Sequence, residues 1–371
     1  MTSAPPELPI LGFVPGNSQH VFRHATLVVA LCFALCGPLH PQSTSPSSRE
    51  DHAGYVPVIS GGAGYIHNVN AGVTTLEPVI NPVLLVPFGS HVLLESRTDF
   101  TGFFQRNPQP NGDFGGKVFN NVEFAQLDWL ANTHAIVVGG RYLLPFGLYS
   151  ERLQPVWIKN LQDAPFTATI GTRTTGSGDG FQLRGTVVQR PAYAVQYTAY
   201  FSAHSSIHEL EAARTTGYDA SVFLPKQRLE IGTSYQRFLE SRHINSVAAY
   251  LSWQPRSVPV DLKAEFDASY NGRGYWLETA YKFTQLPIPR LFQRTQVVGR
   301  MQQVFPSHGG GNGIPRVDSQ RFDFGLNYYI RDDLRIISSY GRRFSSQQNA
   351  NVWNVGLTYR FVFPLWPGKK K

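Results

Sequence analysis

The sequence is poor in cysteine and in charge, and it has no apolar run long enough for a membrane-spanning helix. Its two cysteines, Cys32 and Cys36, both lie in the first 36 of 371 residues. If export removes that segment, the mature chain has no disulfide, no thiol nucleophile and no cysteine metal site. Charged residues are only 16% of the chain, against about 25% in soluble domains. The mean hydropathy of −0.20 does not indicate a helical membrane protein.

The N-terminal region has the features of an export signal. The apolar run Ala25–Cys36 follows Arg23 and His24, and its twelve residues are too few to span a bilayer as a helix. We predict a cleaved signal peptide over residues 1–36, with an approximate cleavage site, and a periplasmic linker and extension over residues 37–91. Within it, residues 53–91 are apolar but contain four prolines. They form either one extra hairpin or a segment tucked into or under the rest of the fold.

From Val92 onward, apolar and polar residues alternate. In the last such stretch, Trp353, Val355, Leu357 and Tyr359 share one face, and period-two alternation predicts a strand with one apolar side. Ten residues is also the length that a tilted strand needs to cross a bilayer, about 9–11. Fourteen stretches fit this pattern: 92–104, 117–129, 134–144, 181–189, 194–203, 217–224, 228–238, 245–254, 260–270, 274–283, 293–304, 320–331, 334–344 and 352–363.

The pattern predicts an all-β fold: a transmembrane antiparallel β-barrel of 14–16 strands over residues 92–363, closed by the C-terminal strand and followed by a basic tail, 364–371. Long and short connections alternate, as in barrels of the Gram-negative outer membrane. Two connections fit poorly, because 271–273 is short for an outer loop and 284–292 is long for a periplasmic turn. An extra hairpin within 53–91 or 145–180 would raise the count to sixteen.

Basic residues recur on the polar strand faces. The chain has a formal net charge of +8, and basic rings in a pore favour anions. Acids on the same faces are expected to pair with several of these bases. The predicted pore-lining bases are Arg141, Arg184, Lys263, Lys282, Arg294, Arg300, Arg321, Arg335, Arg343 and Arg360.

The stretch Gly139–Trp157 is the most distinctive in the chain. A strand that carries Arg141 ends at Pro145-Phe146-Gly147, and about 35 residues follow before the next clear strand, a length that is usually functional. An inward fold would narrow the pore, whereas the alternative is a loop that covers the outer mouth. If it folds inward, the narrow zone is lined by Glu151, Arg152, Lys159 and Asp163.

The Gly-Arg-aromatic strand end with Pro-Phe-Gly and a long loop, over about 139–157, resembles the phosphate-selective porin family. That resemblance implies a sixteen-stranded barrel, a homotrimer, and passage of small anions through a basic constriction. The chain departs from the family in its tail, Pro364–Lys371, since family members normally end at an aromatic residue. No dense arginine or lysine cluster matches the family either, so phosphate selectivity does not follow.

The favoured function is passive diffusion of small hydrophilic solutes with a weak anion preference, without enzymatic activity, cofactor or metal. Expected partners are outer-membrane lipid, hydrophilic or anionic solutes, and the barrel-assembly machinery through Val352–Phe363. Nucleic acid is not expected, because aromatic and basic residues alternate onto opposite faces. One alternative is a substrate-specific barrel plugged by residues 53–91 or 145–180. A weaker one is an outer-membrane hydrolase that uses His204 and Ser205, although no Gly-x-Ser-x-Gly motif supports it.

Overall fold

The computed structural model describes residues 56–106, 112–170, 176–240, 243–308 and 314–365. The predicted signal peptide, the linker as far as residue 55 and the tail from residue 366 lie outside the described residues. Sixteen strands form one closed antiparallel barrel. In chain order they are β1 Val58–Asn70, β2 Val73–Phe88, β3 Val92–Arg106, β4 Phe114–Asn132, β5 Ala135–Leu143, β6 Ser177–Gln189, β7 Ala194–Ala203, β8 Thr215–Leu224, β9 Leu229–Phe238, β10 Asn245–Trp253, β11 Val260–Ser269, β12 Gly272–Lys282, β13 Thr295–Pro306, β14 Ser319–Tyr329, β15 Leu334–Ser345 and β16 Ala350–Pro364.

Each strand pairs with its sequence neighbours, and β1 closes the barrel by pairing with β16. The closing ladder is antiparallel and runs from Val58 opposite Pro364 to Asn70 opposite Val352. Closure leaves no unpaired sheet edge, which is what a strand-built membrane protein requires. The all-β barrel predicted from the sequence is therefore confirmed, with sixteen strands rather than fourteen.

The fourteen predicted strands correspond to β3–β16. The prediction 194–203 coincides with β7, and the largest shift of an end is at β6, which begins at Ser177 rather than residue 181. Gly178 and Gly180 occupy that strand start. Glycine has no side chain to mark a strand face, so alternation gave no signal there.

The two additional strands come from the proline-interrupted segment 53–91. β1 and β2 form the extra hairpin, which is one of the two structures predicted for this segment. Pro78 and Pro82 lie at breaks in the β2–β3 ladder, which omits residues 77, 78, 81 and 82 of β2. A proline cannot donate to a ladder, so its place at such breaks is expected. The prolines therefore interrupt the strand pattern in the sequence, although the sheet accommodates them.

The connections fall into two sets, one at each end of the barrel. The end away from Val58 and Pro364 holds the long connections 107–113, 144–176, 204–214 and 307–318. The end near Val58 and Pro364 holds shorter turns, except for 283–294, which contains one helical turn, α1, at Arg290–Gln293. By the usual asymmetry of such barrels, the first end is extracellular and the second periplasmic.

The barrel is apolar outside and polar inside. Phe181 and Phe324 are each 59% exposed on the outer face, whereas Gln302, Asn327 and Asn354 are almost completely buried inside. This is the inverse of a soluble protein and matches a barrel whose outer face meets lipid. Within the described ranges, no helix is long and apolar enough to cross a membrane.

Candidate functional site

The connection between β5 and β6 folds into the barrel and lies against the lumen side of the wall. Leu148 N donates to Glu265 of β11 at 2.7 Å, and Asp163 pairs with Arg321 of β14. Arg335 of β15 donates to the carbonyl of Lys159 at 2.5 Å. These three wall residues lie on β11 and on the neighbouring strands β14 and β15, so the loop follows an arc of the inner wall. We refer to the described part of this connection, residues 144–170, as the lumen loop.

The inward turn depends on the Pro-Phe-Gly segment that the sequence marks. Phe146 N donates to the Leu144 carbonyl at 2.8 Å, which tightens the chain as it leaves β5. Gly147 has a φ of +67°, in the left-handed region that favours glycine. A Cβ atom at Gly147 would lie 2.3 Å from Glu265 Oε1. Both backbone conformation and space therefore require glycine where the loop enters the lumen.

Glu265 anchors the first part of the lumen loop. Its Oε2 accepts from the backbone N–H groups of Leu148 and Tyr149 at 2.7 and 3.0 Å. Leu148 and Tyr149 also pack with Tyr250 and Trp276 of the wall in a buried apolar cluster. The carboxylate satisfies two backbone donors that would otherwise be buried without partners, a situation that costs about 1–3 kcal/mol per group. Polar and apolar contacts thus hold the same short segment.

The middle of the lumen loop is held by amide and guanidinium groups of the wall. Asn160 Nδ2 donates to Glu278 at 3.0 Å, and its carbonyl accepts from Asn327 at 2.9 Å. Leu161 packs on Ala280 and Val298. Since these contacts are buried and directional, they fix the loop in one register on β12–β14.

Asp163 is the most highly connected acid of the lumen loop. It pairs with Arg321 and accepts from Asn354 of β16 at 3.1 Å and Asn68 of β1 at 3.4 Å. Its backbone carbonyl accepts from Arg300 at 2.9 Å. Burial alone would raise the pKa of Asp163, but the Arg321 and Arg300 guanidinium groups and these hydrogen bonds hold that pKa below its usual range.

The loop also reaches the first strand of the barrel. A Cβ at Gly62 of β1 would come within 2.3 Å of the Trp157 ring, and one at Gly64 would lie 3.1 Å from Val156. The small residues of β1 therefore make room for the loop. The lumen loop spans the inner wall from β9, where Ser234 accepts from Gly147 N at 3.0 Å, to β1.

Three predicted constriction residues, Glu151, Arg152 and Lys159, lie in one charged stretch of the lumen loop. Arg152 donates to both carboxylate oxygens of Glu230 at 2.7 Å, and its Nε lies 3.8 Å from Glu151. Burial raises the pKa of Glu151, an effect that Arg152 partly offsets. The Lys159 ammonium lies 6.0 Å from the centre of the Tyr149 ring. Together with Asp163, these are the four residues for which the sequence predicts a role in narrowing the pore.

Five of the ten predicted pore-lining bases have carboxylate partners, Arg141 among them through Asp179. Arg184 pairs with Asp128, Lys263 with Asp261, and Arg321 with both Asp163 and Asp323. Arg300 lies 3.3 Å from Asp323 and 3.8 Å from Glu278. Some of these pairs join different strands, as expected on the polar faces, and others, such as Lys263 with Asp261, lie within one strand. All of them reduce the free positive charge in the lumen.

Five others have no carboxylate within 4.0 Å among the residues that the structure describes. Arg335 donates to the Lys159 and Val156 carbonyls of the lumen loop and to Thr358. The other four are Lys282, which lies over the Tyr329 ring, Arg294, which donates to the Ile330 carbonyl, Arg343, opposite Arg321, and Arg360, opposite Gly62. The charge of these five bases is not neutralised by a described neighbour.

Arg141 has a different environment from the other nine. It lies opposite Ala125 and Asp179 in the ladders of β5. Its guanidinium pairs with Asp179 at 3.0 Å and donates to the Val122 carbonyl at 2.5 Å and the Glu211 carbonyl at 3.1 Å. The residue thus ties the outer end of the wall to the connection 204–214.

A second charged group, on β2–β4, is not among the residues predicted from the sequence. Arg97 pairs with Glu123 and lies 3.9 Å from Asp99, which accepts from Asn81. Arg97 shares its alternation phase with Glu95 and Asp99, so the strand pattern could have identified it. The residue of β4 that lies opposite Arg97 is harder to predict, because the β3–β4 register shifts between Arg97 and Thr98.

The residues of the hydrolase alternative lie at the outer rim. His204 Nδ1 is 2.8 Å from Glu240 Oε1, and the His204 side chain is 60% exposed. Ser205 forms a backbone bridge with Ala212. Across the described ranges, no group of three or more His, Cys, Asp and Glu side chains is arranged to hold a metal ion.

The barrel with its lumen loop has the fold of outer-membrane porins. OmpF of Salmonella typhi, solved with daunomycin, superposes with a TM-score of 0.58 at 12% identity, covering 83% of this chain and 98% of that one. OmpT, an outer membrane protein of Vibrio cholerae, gives 0.54 at 8% identity, covering 85% and 100%. The anion-selective porin from Comamonas acidovorans gives 0.51 at 10% identity, covering 82% and 98%.

At these identities the likeness is one of fold. No protein-family model matches the chain, and a search of curated proteins finds no similar sequence. The chain is thus a porin-type sixteen-strand barrel, and its solute and selectivity must be argued from its own residues.

Proposed function

We propose that this chain is an outer-membrane porin through which small hydrophilic solutes diffuse passively. The observation that carries the proposal is the lumen loop, which lies along the polar inner wall from β9 to β1. Such a loop reduces the cross-section of a wide barrel without closing the wall, and a polar lumen favours water and hydrated solutes.

The test is single-channel conductance of the refolded, heat-modifiable protein in a planar bilayer. Steady conductance, without the lipid or peptide hydrolysis expected of an enzyme, is the expected result. A folded barrel that carries no current would contradict the open pore and favour a plugged or substrate-specific barrel.

The weak anion preference stays a prediction. Its basis is the five bases without a described carboxylate partner, of which Arg335 and Lys282 are examples. Opposing it, Glu77, Glu95 and Asp219 have no basic partner within 4.0 Å in the described ranges. Rings of either sign set selectivity, so the reversal potential in a salt gradient decides the preference. A preference for cations, or no preference for either sign of charge, would contradict the prediction from net charge.

The alternative of a plugged, substrate-specific barrel now depends on a different segment. Residues 58–88 are wall strands, so this part of the segment does not plug the lumen, and an occluding role would fall to the lumen loop. The hydrolase alternative has the His204–Glu240 contact in its favour. It predicts that replacing His204 and Ser205 abolishes a hydrolytic activity, and unchanged hydrolysis in that double variant would refute it.

The proposal extends to location and partners. An apolar outer face over sixteen strands supports the outer membrane of a Gram-negative bacterium, and the predicted signal peptide would direct export. Recognition of Val352–Phe363 by the barrel-assembly machinery, a homotrimeric state, and membership of the phosphate-selective subtype are proposals that rest on the sequence pattern and its resemblance. Chemical cross-linking in detergent tests the trimer directly.

A further inference from the structure

One periplasmic connection is much more elaborate than the others at its end. The turn between β12 and β13, residues 283–294, carries a short 3₁₀ turn at Phe283–Gln285 and the helical turn α1. The sequence already marks it as long for its position. A simple hairpin connection needs only a few residues, so the additional chain is available to build a site.

The turn borders an open cavity of about 470 Å³, together with the ends of β12 and β14 and the turn that follows β14. Ligand sites for small molecules are commonly about 300–1,000 Å³. Its charged and aromatic lining consists of Lys282, Arg290, Arg294, Tyr329, Arg331 and Asp332. We call this cavity the basic cup, because four of these six side chains are cationic.

Three bases of the basic cup are held in place by local partners. Arg294 Nη1 donates to the Ile330 carbonyl at 2.9 Å, and Arg331 makes two hydrogen bonds to Asp333 at 2.8 and 2.9 Å. The Lys282 ammonium lies 4.1 Å from the centre of the Tyr329 ring. These contacts limit the rotamers of the three side chains, which lowers the entropy cost of binding a ligand.

The remaining charge of the cup is available for a ligand. Among the described residues, neither Lys282 nor Arg290 has a carboxylate within 4.0 Å. Asp332 lines the same cavity and is its one described acid, so the cup as a whole stays cationic. Guanidinium and ammonium groups that converge without a carboxylate form strong, charge-assisted hydrogen bonds to oxyanions.

We propose that the basic cup binds a tetrahedral oxyanion group at the periplasmic mouth of the barrel, with Lys282 and Arg290 as its principal donors. Such a group has two sources: a small soluble oxyanion, or the phosphate of an anionic lipid headgroup. Leu291 and Phe292, in the same turn, are 61% and 55% exposed. They would contact acyl chains if the ligand is a lipid and would contribute little if it is a soluble ion.

The experiment is isothermal titration calorimetry on the full-length refolded protein in neutral detergent. Sodium sulfate is the soluble probe, because it stays dianionic over the working pH range. Short-chain phosphatidylglycerol is the lipid probe, and short-chain phosphatidylcholine is its control. Because calorimetry needs no conductance, a negative result here leaves the proposed porin function untouched, and a non-conducting barrel leaves this site testable.

The variants are Arg290→Gln alone and Lys282→Gln with Arg290→Gln. Lys226→Gln, in the turn 225–228 at the same end of the barrel, is the matched control. Arg290 has no described ion-pair partner, so its single variant keeps the test informative if the double variant does not fold. Loss of one charge-assisted contact is expected to weaken binding about tenfold.

Sulfate binding that weakens in both cup variants and is unchanged in Lys226→Gln supports a soluble oxyanion. Binding of phosphatidylglycerol alone, weakened further by Leu291→Ser with Phe292→Ser, supports the lipid headgroup. Absence of binding to either anionic probe overturns the proposal. Binding that persists in the cup variants, or equal binding of phosphatidylcholine, also overturns it.

Discussion

Gly147 lies directly against the carboxylate of Glu265, and a Cβ added at Gly147 would come within 2.3 Å of Glu265 Oε1. The φ of Gly147 is +67°. The same carboxylate accepts the N–H groups of the next two residues. The entry of the lumen loop therefore depends on a single close approach between one glycine and one acid.

Gly147→Ala is expected to loosen the entry of the lumen loop. The left-handed conformation costs an L-residue about 1–2 kcal/mol, and the new methyl group also displaces the Glu265 carboxylate. We expect larger and noisier single-channel conductance, with faster proteolysis within 144–170, from a barrel that remains heat-modifiable.

Gly139→Ala is the matched control for that variant. It lies in β5, the strand that leads into the lumen loop, and a Cβ there meets no atom within 4 Å. If both alanine variants conduct like the parent protein, the close approach at Gly147 does not hold the loop.

The attachment of the lumen loop through Asp163 is expected to weaken with acid. The pKa of Asp163 is lowered in the folded protein, so its contribution is present above the unfolded value of about 3.9 and is lost as pH falls through the folded pKa. Asp163→Asn should therefore show noisier current than the parent at pH 7. The two should converge only as pH falls through the lowered folded pKa of Asp163.

The control for Asp163 is Asp333→Asn, which breaks the exposed pair with Arg331 at the periplasmic end. Exposed pairs contribute only about 0–1 kcal/mol, so its current should match that of the parent at both pH values. A difference between Asp163→Asn and parent that persists in acid would mean that the carboxylate charge is not what holds the loop.

Lys159→Gln is expected to shift the reversal potential towards cation preference. Lys159 lies in the lumen loop over Tyr149 and has no carboxylate within 4.0 Å in the described part of the chain. A unit charge about 6 Å from a passing ion contributes ~0.7 kcal/mol in water, or about threefold in partition.

Arg273→Gln serves as its control, because Arg273 lies over Phe305 on the strand phase opposite that of Trp276. We expect no change in its reversal potential. An equal shift in the two variants would indicate a general surface-charge effect rather than a role for Lys159 in the lumen.

Deletion of residues 58–88 is expected to abolish the folded barrel. These residues form β1 and β2, and their loss would leave β3 and β16 each with one unpaired edge. Unpaired strand edges in lipid are strongly unfavourable. Heat modifiability on gels is the measurement, and deletion of residues 40–50, which precede β1, is the control. An intact, more conductive barrel after the first deletion would instead identify the segment as a plug.

Alternation along the chain predicted β3–β16 because a wall with lipid on one side and water on the other imposes period two on every strand. The same period-two rule did not identify β1 and β2 as strands. Pro78 and Pro82 of β2 lie at breaks in one ladder, and only the pairing of β2 with both flanking strands makes those positions acceptable.

The lumen loop and its predicted residues were likewise only partly predictable from the sequence. Pro145-Phe146-Gly147 and the length of the connection were visible in the sequence, as were Glu151, Arg152, Lys159 and Asp163. The bases of the wall could be assigned to a face, but their partners could not. Arg321 meets Asp163 across 158 residues, and no local pattern predicts so distant a pair.

The sequence by itself therefore determined the class of fold, most strand boundaries and the position of the long loop, because these follow from local periodicity and turn chemistry. Only the tertiary structure decided the sixteen-strand closure, the path of the loop from β9 to β1, and which charges are neutralised. Those features depend on ladder register and on contacts between residues far apart in the chain, which take their positions only when the barrel closes.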